Sequence, residues 1–126
     1  MELIKNSYIY WEFIRDLRNM DGIREGFIKQ DKITINQHES FMKKNSSFFW
    51  ICLDNNIPIG YIGIIDNDIR IATHPDYQGL GVGSFMLNES MKKNPQACAK
   101  VKIENKASLG LFEKNGFKRK YYLLEK

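Results

Sequence analysis

An α+β fold, with a mixed and mainly antiparallel sheet flanked by helices, is what this 126-residue chain predicts. Three observations carry that expectation. Apolar residues recur at helical spacing near the N-terminus. Two aromatic and β-branched runs in the middle are divided by Asp54-Asn55-Asn56 and read as a hairpin. A glycine-rich segment then joins a strand to a helix, after which strand and helix alternate.

The elements follow in order. Tyr10, Phe13, Ile14 and Leu17 recur at three and four residues, which predicts an amphipathic helix. "RNMDG" breaks it, and "IREGFIKQ" predicts a short second helix. "TINQHESFMKK" predicts a third, with Asn36 as N-cap, Glu39 in capping-box spacing, and Phe41–Met42 as the buried contact. "SFFWICLD" and "IPIGYIGIID" are the hairpin strands. "IDND" makes a second turn, and "IRIAT" a third strand with Ile69 and Ile71 alternating. Beyond the glycines, Ser84 to Lys93 reads as a helix with Leu80, Leu87 and Met91 on one side, extended by Phe85 and Met86. "CAKVKIE" predicts a strand, and Asn105 caps a helix through Lys114. Gly116 suits the left-handed closing position with Phe117 packed back on the last turn. "FKRKYYLLEK" predicts a final strand.

Bulk composition narrows the functional classes. A single domain over residues 1–126 is expected, since 43% hydrophobic and 27% charged residues suit one core and a solvated surface. The net charge of +4 is spread, with clusters only at Lys92–Lys93 and Lys118–Lys120, so a nucleic-acid partner is a minor alternative. The two cysteines, Cys52 and Cys98, sit in apolar or small-residue surroundings and read as reduced, buried or half-buried thiols. No metal-ligand spacing is present. "MELIKNSYIYWEF" has no basic region ahead of a long apolar stretch, and no run reaches transmembrane length. The expectation is a cytoplasmic protein with no membrane partner. A homodimer stays open.

"HPDYQGLGVGSFML" poses the functional question. Gly79, Gly81 and Gly83 alternate between a strand and a helix. Unpaired N–H groups of such a turn, with the helix dipole behind them, form an anion site, and glycine lets phosphate oxygens reach the main chain. The competing reading is a tight turn with close helix packing. A Walker A loop needs Lys-Ser/Thr after its glycines, but Gly83 is followed by Ser84-Phe85. The dinucleotide fingerprint needs a different glycine spacing on a parallel βαβ unit.

Gln78 to Gly83 resembles the Gln/Arg-x-x-Gly-x-Gly/Ala signature of the GCN5-related N-acetyltransferases (GNATs). "ENKASLGLFEKNGF" resembles that family's second pattern, an Asn opening a helix that ends in aromatic-x-x-x-Gly-Phe. The resemblance is good from Ile57 to the C-terminus. It implies a sheet that splays between its central strands to admit acetyl-CoA. Gln78, Gly79, Leu80, Gly81, Val82, Gly83 and Ser84 would hold the pyrophosphate. Ile71, Ala72 and Thr73 would pair with the pantetheine arm, with Ile71 or Ala72 supplying an oxyanion N–H. Asn105 and Phe112 would contact the cofactor. The acceptor would be a small-molecule primary amine, with nucleotide-linked amino sugars suggested by similar N-terminal helices. Arg24 and His38 are the substrate-side candidates. A peptide or protein amine, or acyl-CoA binding without turnover, are the alternatives.

The chemistry needs a deprotonated amine, since a lysine-type ammonium has a pKa of about 10.4. Relatives often place a carboxylate on the strand before the Asn; the comparable position holds Lys100. Glu104, His74, His38, Asp66 and Asp68 are the candidates for a base. Relatives also place a Tyr where Phe112 stands, to protonate the departing thiolate. A thiol of pKa about 8.5 can leave unaided, or Tyr121, Tyr77, Tyr122 or water can replace that Tyr.

Overall fold

A computed structural model describes all of residues 1–126. Its elements are β1 (Glu2–Lys5), α1 (Trp11–Asn19), α2 (Ile35–Asn45), β2 (Phe49–Asp54), β3 (Ile57–Ile65), β4 (Asp68–Thr73), α3 (Val82–Met91) and α4 (Lys106–Lys114). The four strands form one antiparallel sheet in the order β1-β2-β3-β4. Both central hairpins turn through two residues with positive φ, Asn55-Asn56 and Asp66-Asn67. Asn and Asp tolerate that region best after glycine, and two such residues match the twist of the paired strands.

Each face of the sheet carries its own core. Phe49, Ile51, Leu53, Tyr61 and Ala72 pack with Ile14 and Leu17 of α1 and Met42 of α2. Cys52, Ile59, Ile62, Ile64 and Ile69 pack with Val82, Met86 and Leu87 of α3 and Phe112 of α4. β3 is therefore covered on both sides, which explains why its run of apolar residues does not alternate with polar ones. No helix is long and apolar enough to cross a membrane.

Several expected elements are corrected. β1 was not foreseen; its four residues pair along β2. The predicted helix "IREGFIKQ" shrinks to a 3-10 turn at Arg24–Gly26. Gly22, at φ +88, and extended backbone at Phe27 confine it. Helix α2 starts earlier than expected. Thr34 accepts from the Gln37 N–H and Gln37 returns a side-chain bond to the Thr34 N–H, so the capping box is Thr34/Gln37, not Asn36/Glu39. Leu80 is 67% exposed and does not join the apolar side of α3. "CAKVKIE" makes one parallel bridge, Asp68 to Cys98, and then leaves the sheet. With no ladder there to pair against, the expected last strand does not form, and Tyr121 to Leu124 are exposed. Cys52 is buried, as expected, and burial pushes its thiol up to about 11. Cys98 is exposed rather than half-buried.

Gly63 faces Phe49 across the β2–β3 ladder, and the Phe49 ring occupies the space a Cβ would need. That ring is itself enclosed by Phe41 and Tyr61. Gly63→Ala is expected to destabilise the fold by about 1–3 kcal/mol through overpacking, read as a lower urea midpoint with an unchanged slope.

Candidate active site

The site begins at the edge of β4. β4 pairs with β3 along its whole length. On its other side the Cys98 N–H donates to the Asn67 carbonyl at 2.7 Å and the Ile69 N–H to the Cys98 carbonyl at 2.9 Å, after which the chain diverges. Successive strand residues present their amides to opposite sides. Ile71 and Thr73 thus turn theirs toward the open edge, as Ile69 does, while Ala72 faces Tyr61 on β3. Of the pair Ile71 and Ala72, Ile71 is the residue with an N–H at the open edge. The Thr73 carbonyl takes the Gln78 side-chain amide at 3.4 Å, and the His74 N–H turns back to Ile59 at 2.8 Å.

The glycine segment leads from that edge into α3. Gly79 and Gly81 have φ of +79 and +82, and Gly81 is the N-cap of the helix. The first bond closing the helix runs from Phe85 N–H to the Gly81 carbonyl at 3.0 Å. The N–H groups of Gly79, Leu80, Gly81, Val82, Gly83 and Ser84 donate to no acceptor in the protein. They sit at the positive end of the α3 dipole, a combination that favours an anion. A Cβ at Gly79 or Gly81 would meet nothing within 4 Å, so these two serve the left-handed backbone and leave the turn bare. Gly83 is different: a Cβ there would lie 3.0 Å from Leu111 of α4. The two readings of the glycines therefore divide between residues.

Asn105 opens α4. Its side-chain oxygen accepts from the Ser108 N–H at 3.2 Å, and its amide donates to the Gly26 carbonyl at 3.3 Å. Lys102 holds the neighbouring Glu25 carbonyl at 3.2 Å. The 3-10 turn bearing Arg24 is thus fastened to the start of α4. Phe112 is buried in the core, edge-on to Phe117 with ring centroids 5.1 Å apart.

His74, Glu104 and Tyr121 share no hydrogen bond or ion pair. His74 Nδ1 accepts from the Asp76 N–H at 3.1 Å, so the neutral ring carries its proton on Nε2 and presents a donor there. Glu104 is an exposed carboxylate 3.8 Å from Lys102, and Tyr121 is 91% exposed. Arg24 pairs with Asp21 at 2.9 Å and Glu25 at 3.3 Å. His38, a candidate for base and for substrate contact, is only 5% exposed, and its Nε2 donates to the Trp11 carbonyl at 2.7 Å. It ties α2 to α1. No group of His, Cys, Asp and Glu is placed to hold a metal.

A recess of about 390 Å³ lined by Lys5, Asn6, Lys43, Lys44, Ser46 and Ser47 lies by β1, at the opposite edge of the sheet from β4 and its loop.

A family profile described as an acetyltransferase (GNAT) domain matches residues 45–119, well over half of the chain. The chain belongs to the GNAT acetyltransferase family. An uncharacterised N-acetyltransferase of Methanocaldococcus jannaschii is 26% identical over 96 residues, covering 63% of this chain and 42% of the relative. The chain thus spans well under half the length of that relative. Among solved structures, spermidine N-acetyltransferase from Vibrio cholerae in complex with CoA and spermine superposes with a TM-score of 0.83 at 18% identity, covering 99% of this chain and 85% of that one. Ribosomal-protein-alanine N-acetyltransferase from Brucella melitensis gives 0.79 at 12% identity, covering 94% and 85%. At these identities the likeness is one of GNAT fold.

One grouping in this GNAT chain escaped sequence reasoning. Tyr61 is 2% exposed; burial raises its phenol, and the charges of Arg18 and Arg70 work against that rise. Tyr61 lies in an apolar strand, and the arginines come from elements far apart in sequence. Only pairing of β3 with β4, under α1, unites them.

Two expectations follow. Burial holds the His38 imidazole below the ordinary histidine range, outweighing its bond to Trp11. The folded chain therefore takes up that proton less readily than the unfolded chain. The benefit of the neutral ring is intact above the unfolded pKa of about 6.5 and is lost as pH falls from there through the lower folded value. Urea unfolding at about pH 7.5 and about pH 5.5 should show a steeper acid loss for the wild type than for His38→Gln. Equal slopes would contradict it. Gly83→Leu should lower the melting temperature through the Leu111 contact, at a cost of about 1–3 kcal/mol. Gly79→Ala should act through backbone strain alone, at about 1–2 kcal/mol. Circular dichroism melts separate the two when Leu111→Ala is added, which rescues only the first.

Proposed function

We propose that this chain works as a single domain over residues 1–126, transferring an acetyl group from acetyl-CoA to the primary amine of a small molecule. The observation that carries the reading is the row of unpaired N–H groups from Gly79 to Ser84 at the head of α3, beside the open edge of β4. A diphosphate fits that row because each oxygen can accept from the main chain with no side chain in the way. An extended, amide-bearing arm fits the Ile71–Thr73 edge, where main-chain groups on one side lack a strand partner. Membership of the GNAT family and the fold shared with a CoA-bound spermidine acetyltransferase support the assignment.

Acetyl-CoA supplies an activated thioester. The protein's part is to hold and polarise it. The Ile71 N–H, rigid within β4, is the donor for the thioester oxygen as negative charge develops there. The Gln78 amide, held to Thr73, shapes the way into the glycine turn. Phe112 presents no proton and closes the core beneath the site. His74 acts as a turn device, its Nδ1 engaged by Asp76. Glu104, exposed and 3.8 Å from Lys102, is the one carboxylate among the three candidates, and we assign it the uptake of the amine proton. Glu104→Gln would then lower the rate at neutral pH and recover in alkali.

Gly81→Asp tests the cofactor half. It sets a carboxylate beside the diphosphate at a position with open space for a side chain. CoA at a hundredfold excess over its Kd should stabilise the wild type by about 2.7 kcal/mol. The folded variant should show no such shift in melting temperature. An undiminished shift would remove the assignment. Release of CoA thiol with a panel of amines then distinguishes turnover from binding alone.

A further inference from the structure

The face of the sheet away from the glycine turn holds polar groups that the cofactor half does not use. Tyr61 projects from β3 on the same face as Arg70 and Ala72 of β4, since Tyr61 pairs with Ala72 and Gly63 with Arg70. Its ring is 2% exposed and packs within the α1 and α2 core. Arg18 of α1 stacks on the Phe27 ring at 4.0 Å and donates one Nη2 bond to the Lys29 carbonyl. Its Nη1 is buried with no acceptor at all, and so is Nε of Arg24. Arg70 leans over the Phe41 ring at 5.6 Å.

The carboxylates in this region are unevenly shared. Arg24 has Asp21 and Glu25, and Arg70 has Asp68 at 3.9 Å. Arg18, half-buried, has none. Its neighbours Arg24 and Arg70 are cations, and burial with their repulsion works against its charge. Tyr61 is held protonated by burial, so it offers a donor. A buried guanidinium costs stability unless something anionic meets it, and natural structures rarely leave such donors idle. The group lies beside the reaction centre, because Ala72, opposite Tyr61, directly follows Ile71.

We propose that Arg18, Tyr61 and Arg70 form an anion subsite that binds a carboxylate or phosphate carried by the amine acceptor. The acceptor class is then an amine bearing its own negative charge, one tyrosine's reach from the thioester position. Polyamines and neutral amino sugars lack the matching group. This rests on the acetyltransferase reading for the identity of the ligand, but the subsite itself is testable without turnover.

The binding arm uses inorganic phosphate and acetate titrated into the Gly81→Asp chain, so that the glycine turn does not compete. Arginine side-chain NMR signals report the contact. Saturable shifts of the Arg18 and Arg70 guanidiniums are expected, with the Arg70 shift weakened roughly ten- to hundredfold in Tyr61→Phe and in Arg18→Gln, since each removes a charge-assisted bond. Tyr61→Phe keeps the buried ring and guards against misfolding. No saturable shift overturns the proposal. The turnover arm compares phosphoethanolamine and β-alanine, as phosphate and carboxylate acceptors, with ethanolamine and spermidine, following CoA release by the wild-type chain. Preference for either anionic acceptor, with KM rather than kcat raised in Tyr61→Phe and neither changed in the surface control Lys43→Gln, supports the proposal and tells phosphate from carboxylate. Equal or better turnover of ethanolamine or spermidine overturns it while leaving the acetyltransferase reading intact. Saturable phosphate binding at Arg18 without CoA binding or turnover overturns that reading while the anion subsite stands.

Discussion

Everything in the candidate site depends on β4 being paired on one side only. β3 holds it rigidly along its full length, while the far side is anchored by a single bridge at its first residue. That one contact brings the 98–104 segment close enough to start α4 nearby, yet lets it diverge before it can seal the edge. A second full ladder would stabilise the sheet and consume the Ile71 and Thr73 amides. An edge with no bridge would remove one of the anchors of the segment that leads to α4. Strand edges are ordinarily a hazard for aggregation. Here the β4 edge is short and runs straight into the capped turn at His74.

The same economy governs the two faces. β3 is the shared wall, with α3 and α4 on one side and α1 and α2 on the other. The glycine turn belongs to the first layer and the Arg18–Tyr61–Arg70 group to the second. The proposed chemistry falls where the layers meet, at Ile71 and Ala72, whose amides face opposite ways along one strand.

Much of this architecture was legible in the sequence because it is local. The hairpin turns at Asn55-Asn56 and Asp66-Asn67, the helix over Trp11–Asn19, and the junction at Gly79–Gly83 are written in residues a few positions apart. The failures are those in which distant contacts decide. Thr34-x-x-Gln37 and Asn36-x-x-Glu39 are equivalent cap spacings in sequence, and burial of His38 and Met42 against α1 selects between them. "CAKVKIE" has strand composition but lacks a neighbour beyond Cys98, so "FKRKYYLLEK" has nothing to join. Gly83 looks like its fellow glycines until Leu111 is seen beside it. Tyr61 reads as one more apolar residue of β3, and nothing nearby in sequence shows that the charges of Arg18 and Arg70 act on it.

Asn105 gives this arrangement an evolutionary hinge. Its oxygen starts α4 at the correct residue, while its nitrogen grips the turn that carries Arg24. Asparagine and aspartate codons differ by one base. An aspartate here would keep the oxygen that caps the helix and discard the donor that restrains the turn. Helix α4 would persist while the turn at Arg24–Gly26 was released to sample new shapes. The shape of that turn can therefore change through a residue outside the sheet while α4 keeps its cap and the fold its core.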